Sequence, residues 1–167
     1  MTSPMPVVSN TSPIWNLASI GQLGLLHDQF YDVRVPQAVL DELLFEHDSP
    51  EAELIKETIR QGWLKVEPLT DRHTQRSLML QLDRGEAAAI ALALELGIDR
   101  ILMDELEGRK TAKVMGLQPT GILGVLLRAK NEGKIVSLTD EMKRLRGIAG
   151  FFIAEPLFRQ LLQEANE

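Results

Sequence analysis

Asn10 and Asp104 each stand immediately beyond a short apolar run, Val7-Val8-Ser9 for the first and Ile101-Leu102-Met103 for the second. In an open parallel sheet the side chains just past the strand ends face the ligand crevice, so neighbouring strands would turn this amide and this carboxylate into one cleft. Two more acids fall near element ends: Glu42, on a segment with the apolar stripe Val39, Leu40, Leu43 and Leu44, and Glu86, at the opening of the Ala- and Leu-rich run from Arg84 to Leu96. A few carboxylate oxygens, with positions left for water and phosphate, are the donor set that hard cations such as Mg²⁺ and Mn²⁺ prefer.

Each of these residues also has a structural reading. Asp104 with Glu107, and Asp83 with Glu86, have the spacing of a capping box, in which an acid caps a helix and a glutamate three residues on reaches back. Ser12-Pro13 fits an ordinary N-cap and first-position pair, and Glu42 beside Asp41 fits a solvated helix face. Other chemistries find less support. The absence of Cys excludes disulfides, thiolate nucleophiles and Cys-based zinc sites. His27, His47 and His73 are far apart and lack metal-ligand spacing, so they are expected at the surface and zinc is not expected. No phosphate-binding or dinucleotide glycine motif occurs; Gly121-Ile122-Leu123-Gly124 is apolar and reads as close helix packing. Ser12 lacks the Gly-x-Ser-x-Gly elbow and an evident His partner, which argues against a nucleophilic role.

The elements that must position these residues follow from hydrophobic patterning. Short apolar runs alternate with longer helical patterns, the signature of βαβ units and a parallel sheet. Strands are predicted at Val7 to Ser9, Val33 to Val35, Leu64 to Val66, Ile101 to Met103, and more weakly near Leu117 to Thr120. Helical patterns fill Pro13 to Phe30 with a break at Gly21, a segment starting at Pro36, and Pro50 to Gln61 ended by Gly62. They continue over Arg84 to Leu96, Gly121 to Lys130, Ser137 to Leu145 and Pro156 to Ala165. The Arg84 to Leu96 stretch is apolar on nearly every face, as a helix buried between a sheet and other helices must be. With right-handed crossovers the expectation is a three-layer α/β/α sandwich around a central parallel sheet of about five strands. No repeat or linker divides the 167 residues, so one domain over 1–167 is expected, with helices from about 137 packing on it.

Composition bounds the setting. The start Met1-Thr2-Ser3-Pro4-Met5-Pro6 carries neither the basic nor the apolar run of a signal peptide, and no apolar stretch approaches the roughly 20 residues of a membrane helix, so a cytoplasmic location and no membrane partner are expected. A net charge of −6 argues against a generic nucleic-acid binder, which would carry a basic excess. Basic residues do group locally, at Arg109, Lys110 and Lys113 and again at Lys143, Arg144 and Arg146, both of which also fit solvated helix faces.

With these residues in place, the chain resembles the PIN-domain family, in particular VapC-like toxins with a Ser-Asp/Asn-Thr-Ser-Pro start. Val7-Val8-Ser9-Asn10-Thr11-Ser12-Pro13 is similar to the first family motif, and Val35-Pro36-Gln37-Ala38-Val39-Leu40-Asp41-Glu42-Leu43 to the second. The most specific match is Leu82-Asp83-Arg84-Gly85-Glu86-Ala87-Ala88-Ala89-Ile90-Ala91-Leu92-Ala93, followed by Glu95-Leu96-Gly97 and a strand that ends in Asp104. The resemblance implies a metal-dependent endoribonuclease, the toxin of a type II toxin–antitoxin pair, with RNA as substrate, an antitoxin protein as partner and a homodimer as the assembly. It implies Mg²⁺ or Mn²⁺ held by Glu86, Asp104, Glu42 and Asn10, with Ser12 as a hydrogen-bonding support and Arg109 and Lys110 toward RNA phosphates. One position departs from the family pattern: Asn10 stands where an Asp is usual, which keeps a carbonyl oxygen but removes a full negative charge. Two alternatives follow: a PIN fold whose cleavage is weakened and which binds RNA or protein, or a phosphoesterase acting on a small molecule.

Overall fold

Val7 and Val8, adjacent in the first predicted strand and so on opposite faces, are both buried, which requires a sheet covered on both sides. The computed structural model, which describes residues 5–167, places them so. Strands β1 (Val7–Ser9), β2 (Val33–Pro36), β3 (Leu64–Glu67), β4 (Arg100–Leu102) and β5 (Gln118–Thr120) form a five-stranded sheet in the order β3-β2-β1-β4-β5. Every pairing is parallel, with Val8 opposite Ile101 and Ser9 opposite Leu102 in the central pair. Of the opening segment read as lacking a signal peptide, Met1 to Pro4 lie outside the described residues. No helix is long and apolar enough to cross a membrane among those described.

Alternation along β1 sorts the core into two layers. Val7 belongs to one apolar cluster together with Val33, Val35, Leu64 and Leu102. On that side pack α1 (Thr11–Ser19), α2 (Gly24–Phe30), α8 (Ile122–Asn131), α9 (Leu138–Gly147) and α10 (Glu155–Glu164), through residues such as Leu17, Leu26, Leu126, Met142 and Phe158. Val8 belongs to the other cluster, with Ile101 and Met103, and there α6 (Arg84–Leu96) lies against the sheet through Ala89, Ile90, Leu92 and Ala93. Its alanines bring the helix backbone close to the strands, and each fully buried Ile or Leu on it contributes roughly 1.5–3 kcal/mol of burial. The result is the three-layer α/β/α sandwich.

Local chemistry sets the helix ends. Ser49 caps α4 (Pro50–Gln61) by accepting from the Ala52 N–H, with Pro50 in the first turn. Gly97 ends α6 in the left-handed region at φ 68°, where a side chain would be strained.

Four local expectations are corrected. Pro36 is the last residue of β2 and takes an extended N-cap conformation, so α3 (Gln37–Leu43) begins one residue later than a Pro-first helix would. Helix α1 begins at Thr11 with Asn10 at its N-cap, which displaces the Ser12-Pro13 cap and puts both residues inside the helix. Asp104 and Glu107 form no capping box, because α7 (Leu106–Val114) starts after Glu105, leaving Asp104 outside the helix. A short helix, α5 (Arg72–Leu78), occupies a stretch with no apolar periodicity and buries no residue. The histidines also differ from a purely superficial placement, since His27 is half-buried and stacks on Trp63 with ring centroids 5.0 Å apart.

Candidate active site

The switch in strand order falls at β1, whose neighbours β2 and β4 lie on opposite sides, so the crevice opens beyond the carboxyl ends of β1 and β4. Asn10 and Asp104 occupy those two ends. The Asn10 N–H donates to the Leu102 carbonyl at 3.1 Å, extending the ladder by one residue and fixing the backbone from which both side chains leave. Asn10 is buried in an extended conformation at the head of α1, yet its side chain does not cap that helix. An Asn at an N-cap normally does.

Asp104 is held from one side only. Its Oδ1 accepts from the Ile122 N–H at 2.9 Å, the first residue of α8. Its Oδ2 is buried without any hydrogen-bond partner, the one such side-chain atom among the described residues. Burial pushes the Asp104 carboxyl up to about 6, against the Ile122 N–H and the Arg109 charge, which pull it down, and with Glu105 adding to the rise. Arg109 does not saturate the carboxylate: its guanidinium donates to the Met103 carbonyl at 3.0 Å, behind the acid.

Glu86 sits in the first turn of α6 and is engaged in the capping box read from the sequence, donating its N–H to Asp83 Oδ1 at 2.8 Å and accepting the Asp83 N–H on Oε1 at 3.2 Å. Burial pushes Glu86 up to about 7, against the Asp83 N–H and with the charges of Asp83 and Glu105 adding to the rise. Its other oxygen, Oε2, faces Gly108 of α7, where an added Cβ would lie 3.1 Å from it. Glu42 is exposed in the last turn of α3 and accepts from Thr11 Oγ1 at 2.9 Å, which ties α3 to the head of α1.

Glycines make this crowding possible. A Cβ on Gly85 would overlap Glu42 Oε1 and stand 3.5 Å from Asn10 Oδ1, so Asn10 and Glu42 flank the backbone of the first turn of α6 together. A Cβ on Gly121 would stand 2.8 Å from Asp104 Oδ1 and 3.1 Å from Arg109 Nη1. Gly121 thus makes room for the Asp104 carboxylate, a different duty from the helix packing read from the sequence.

The sequence-derived residues are therefore brought to one sheet edge in pairs, Asn10 with Glu42 around Gly85 and Asp104 with Arg109 around Gly121, with Glu86 between α6 and α7. They do not form a ready-made cage, since no three His, Asp or Glu side chains among the described residues are grouped to hold a metal ion by themselves. In donor chemistry the set nevertheless fits a hard divalent cation. It is built of oxygens, and a buried carboxylate oxygen without a protein donor is an atom that a cation, a proton or a water would satisfy there. Ser12 stands apart, its hydroxyl accepting from Asn16 Nδ2 at 3.1 Å. Lys110 is exposed, its ammonium a loose 3.8 Å from Glu107.

Three residues of the site escaped the sequence reading. Thr11, Gly85 and Gly121 carry no chemistry of their own; the signal available was their position beside Asn10, Glu86 and the helix start after β5.

No curated protein and no solved structure matches the chain. A family model described as "DUF3368: PIN domain" matches residues 6–167. That match spans the sheet, the cleft residues and the C-terminal helices alike, and the chain belongs to the PIN-domain family, whose members are in general metal-dependent nucleases.

Proposed function

We propose that this protein is an endoribonuclease that uses Mg²⁺ or Mn²⁺ to hydrolyse RNA phosphodiester bonds, and that it serves as the toxin of a type II toxin–antitoxin pair in the cytoplasm. The observation that carries the reading is the buried, unpartnered Oδ2 of Asp104 beside Asn10, at the carboxyl ends of the two central strands. Asp104 and Glu86 would be the principal ligands of the cation, joined by the Asn10 carbonyl oxygen and by Glu42, directly or through water. When bound, the cation supplies a water nucleophile at neutral pH and stabilises charge on the attacked phosphate.

The chain's own residues do the positioning. The Ile122 N–H holds Asp104 Oδ1 and leaves Oδ2 without a protein donor. Arg109 fixes the Met103 carbonyl and with it the backbone that presents Asp104, so its part is positioning, whereas the exposed Lys110 ammonium is free to meet an RNA phosphate. Thr11 sets the orientation of Glu42. Glu86 would leave the reach of the Asp83 N–H to turn both oxygens toward a cation, exchanging one 3.2 Å hydrogen bond for a metal bond. Ser12 would support the first turn of α1 through Asn16 rather than touch the cation. A cognate antitoxin and a second copy of this chain complete the proposed assembly.

One observation favours a second reading, a weakened nuclease that persists as an RNA-binding or protein-binding module: the three acids are not gathered into a cluster, and Asn10 contributes no charge. Cleavage of a mixed single-stranded RNA with Mn²⁺ decides between the two, measured for the wild type beside Asp104→Asn and Glu86→Gln. Cleavage by the wild type alone is expected. Activity that survives both substitutions would remove these residues from the site, and none in any of the three would leave the binding module.

A further inference from the structure

A cavity of about 550 Å³ opens beside Asp104, and its walls change character along its length. Asp104, Arg109 and Gly121 form one end, and Phe151, Phe152 and Leu157 the other. Phe151 is half-buried and packs against the main core, and Ile153 is buried. Phe152 is not core: it is 85% exposed, on the connection between α9 and α10. Exposed on the rim of this cavity, the Phe152 ring is open to a stacking partner. The opposite flank of the cleft, beyond β2 and β3, is lined by Arg72, Arg84, Gln37 and Gln75 and offers no aromatic ring.

We propose that the Phe152 end of this cavity is a base-binding subsite, in which one unpaired base of a single-stranded RNA stacks on the Phe152 ring while its neighbouring phosphate lies at Asp104. The inference rests on the nuclease reading of the same cleft. Every base has a π-face that stacks on an aromatic ring, and the contact tolerates sequence while demanding an unpaired base. The cavity is the size of an ordinary small-ligand pocket, enough for a nucleotide and too small for a helix of a protein partner. Continuity with Asp104 selects RNA over a protein segment: whatever stacks on Phe152 shares one open cavity with the proposed hydrolytic carboxylate. Substrates would therefore be cut at unpaired positions, and a duplex, whose bases are not free to leave the stack, would be refused.

The test uses the full chain in EDTA, so that binding is read without cleavage. Single-stranded RNA octamers carrying one 2-aminopurine are titrated into the wild type, Phe152→Ala and Phe152→Trp, with the corresponding duplex alongside. The expected result is quenching of the 2-aminopurine by the wild type and by Phe152→Trp, a roughly 10-fold weaker Kd with lost quenching for Phe152→Ala, and weak duplex binding that Phe152→Ala does not change. Phe152 is exposed, so its replacement leaves the core intact. Equal affinity and quenching for Phe152→Ala and the wild type would overturn the proposal and leave the ring to a protein partner; so would a duplex that binds as tightly as the single strand. Parallel cleavage assays with Mn²⁺ separate the two readings. Phe152-dependent quenching without any cleavage keeps the subsite and ends the nuclease reading, whereas cleavage whose KM is the same in Phe152→Ala and the wild type does the reverse.

Discussion

Asp104 and Glu167 are both carboxylates presented to the first amides of a helix, and the protein treats them in opposite ways. Asp104 meets α8 through one N–H, that of Ile122, and leaves its second oxygen buried with nothing on it. Glu167 meets α9 with both oxygens occupied. Oε2 accepts from the Leu138 N–H at 2.6 Å and lies 3.3 Å from the Lys130 ammonium, while Oε1 accepts from the N–H and hydroxyl of Thr139 and from Ser137. Burial pushes both carboxyls upward. In Glu167 the hydrogen bonds from Thr139, Leu138 and Lys130 outweigh it and bring the group down to about 2, whereas in Asp104 burial wins and holds it at about 6. A carboxylate that serves the fold is saturated with donors and helps hold α9 in place. Under the proposed function Asp104 is kept underbonded, at a cost to stability, so that an incoming cation finds an oxygen free.

The largest expected difference comes from neutralising each acid. Asp104→Asn should lower Mn²⁺-dependent RNA cleavage by roughly 100-fold or more while raising the melting temperature of the metal-free protein at pH 7, since it removes a buried charge and keeps an acceptor for the Ile122 N–H. Glu167→Gln should do the reverse, costing about 1–3 kcal/mol of stability in denaturant titrations and leaving cleavage at 25 °C unchanged. If both substitutions moved stability in the same direction, the contrast between the two acids would be wrong.

pH sharpens the comparison. Asp104 and Glu86 have folded-state pKa values above their ordinary ones, at about 6 and about 7, so the metal-free folded protein binds more protons than the unfolded chain between about pH 4 and pH 7. Stability must fall as pH rises through that window. Glu167 has a depressed value, so its contribution is present above the ordinary glutamate range and is lost as pH falls toward about 2. Denaturant midpoints measured without metal should therefore pass through a maximum near pH 4. The alkaline side should flatten in a protein carrying Asp104→Asn and Glu86→Gln, and Glu167→Gln should soften the acid side alone.

The smallest effect is expected at Asn10. Because it flanks Gly85 together with Glu42, Asn10→Asp would add a fourth carboxylate to Glu42, Glu86 and Asp104, tightening Mn²⁺ several-fold in calorimetric titration while lowering metal-free stability. An unchanged Mn²⁺ affinity would place residue 10 outside the coordination sphere.

How far the sequence carried can be traced residue by residue. Strand β1 was legible because Val7 and Val8, buried on opposite faces, leave an unbroken apolar run, and Val7 to Ser9 was read to the residue. The capping box of Asp83 and Glu86 was legible because its spacing is local. The same spacing misled at Asp104 and Glu107: helix α7 starts one residue further on than a box would need, a choice made by tertiary contact with α8. Helix α5 gave no signal because it buries no residue fully, and only its last one, Leu78, packs half-buried against the core. The neighbours of the acids were legible least. Nothing in the run from Thr120 to Gly124 says that Gly121 must stay bare for a carboxylate arriving from β4, because that requirement arises only when two distant segments meet.

The central claim, that this sheet edge is a divalent-cation site, is tested most directly by crystals soaked in Mn²⁺ and measured at the manganese absorption edge. The account predicts an anomalous peak within bonding distance of Asp104 Oδ2, with Glu86 turned away from the Asp83 N–H toward it and Asn10 or Glu42 on the same ion. A cleft without a peak at millimolar Mn²⁺, with Asp104 Oδ2 still alone, would contradict it.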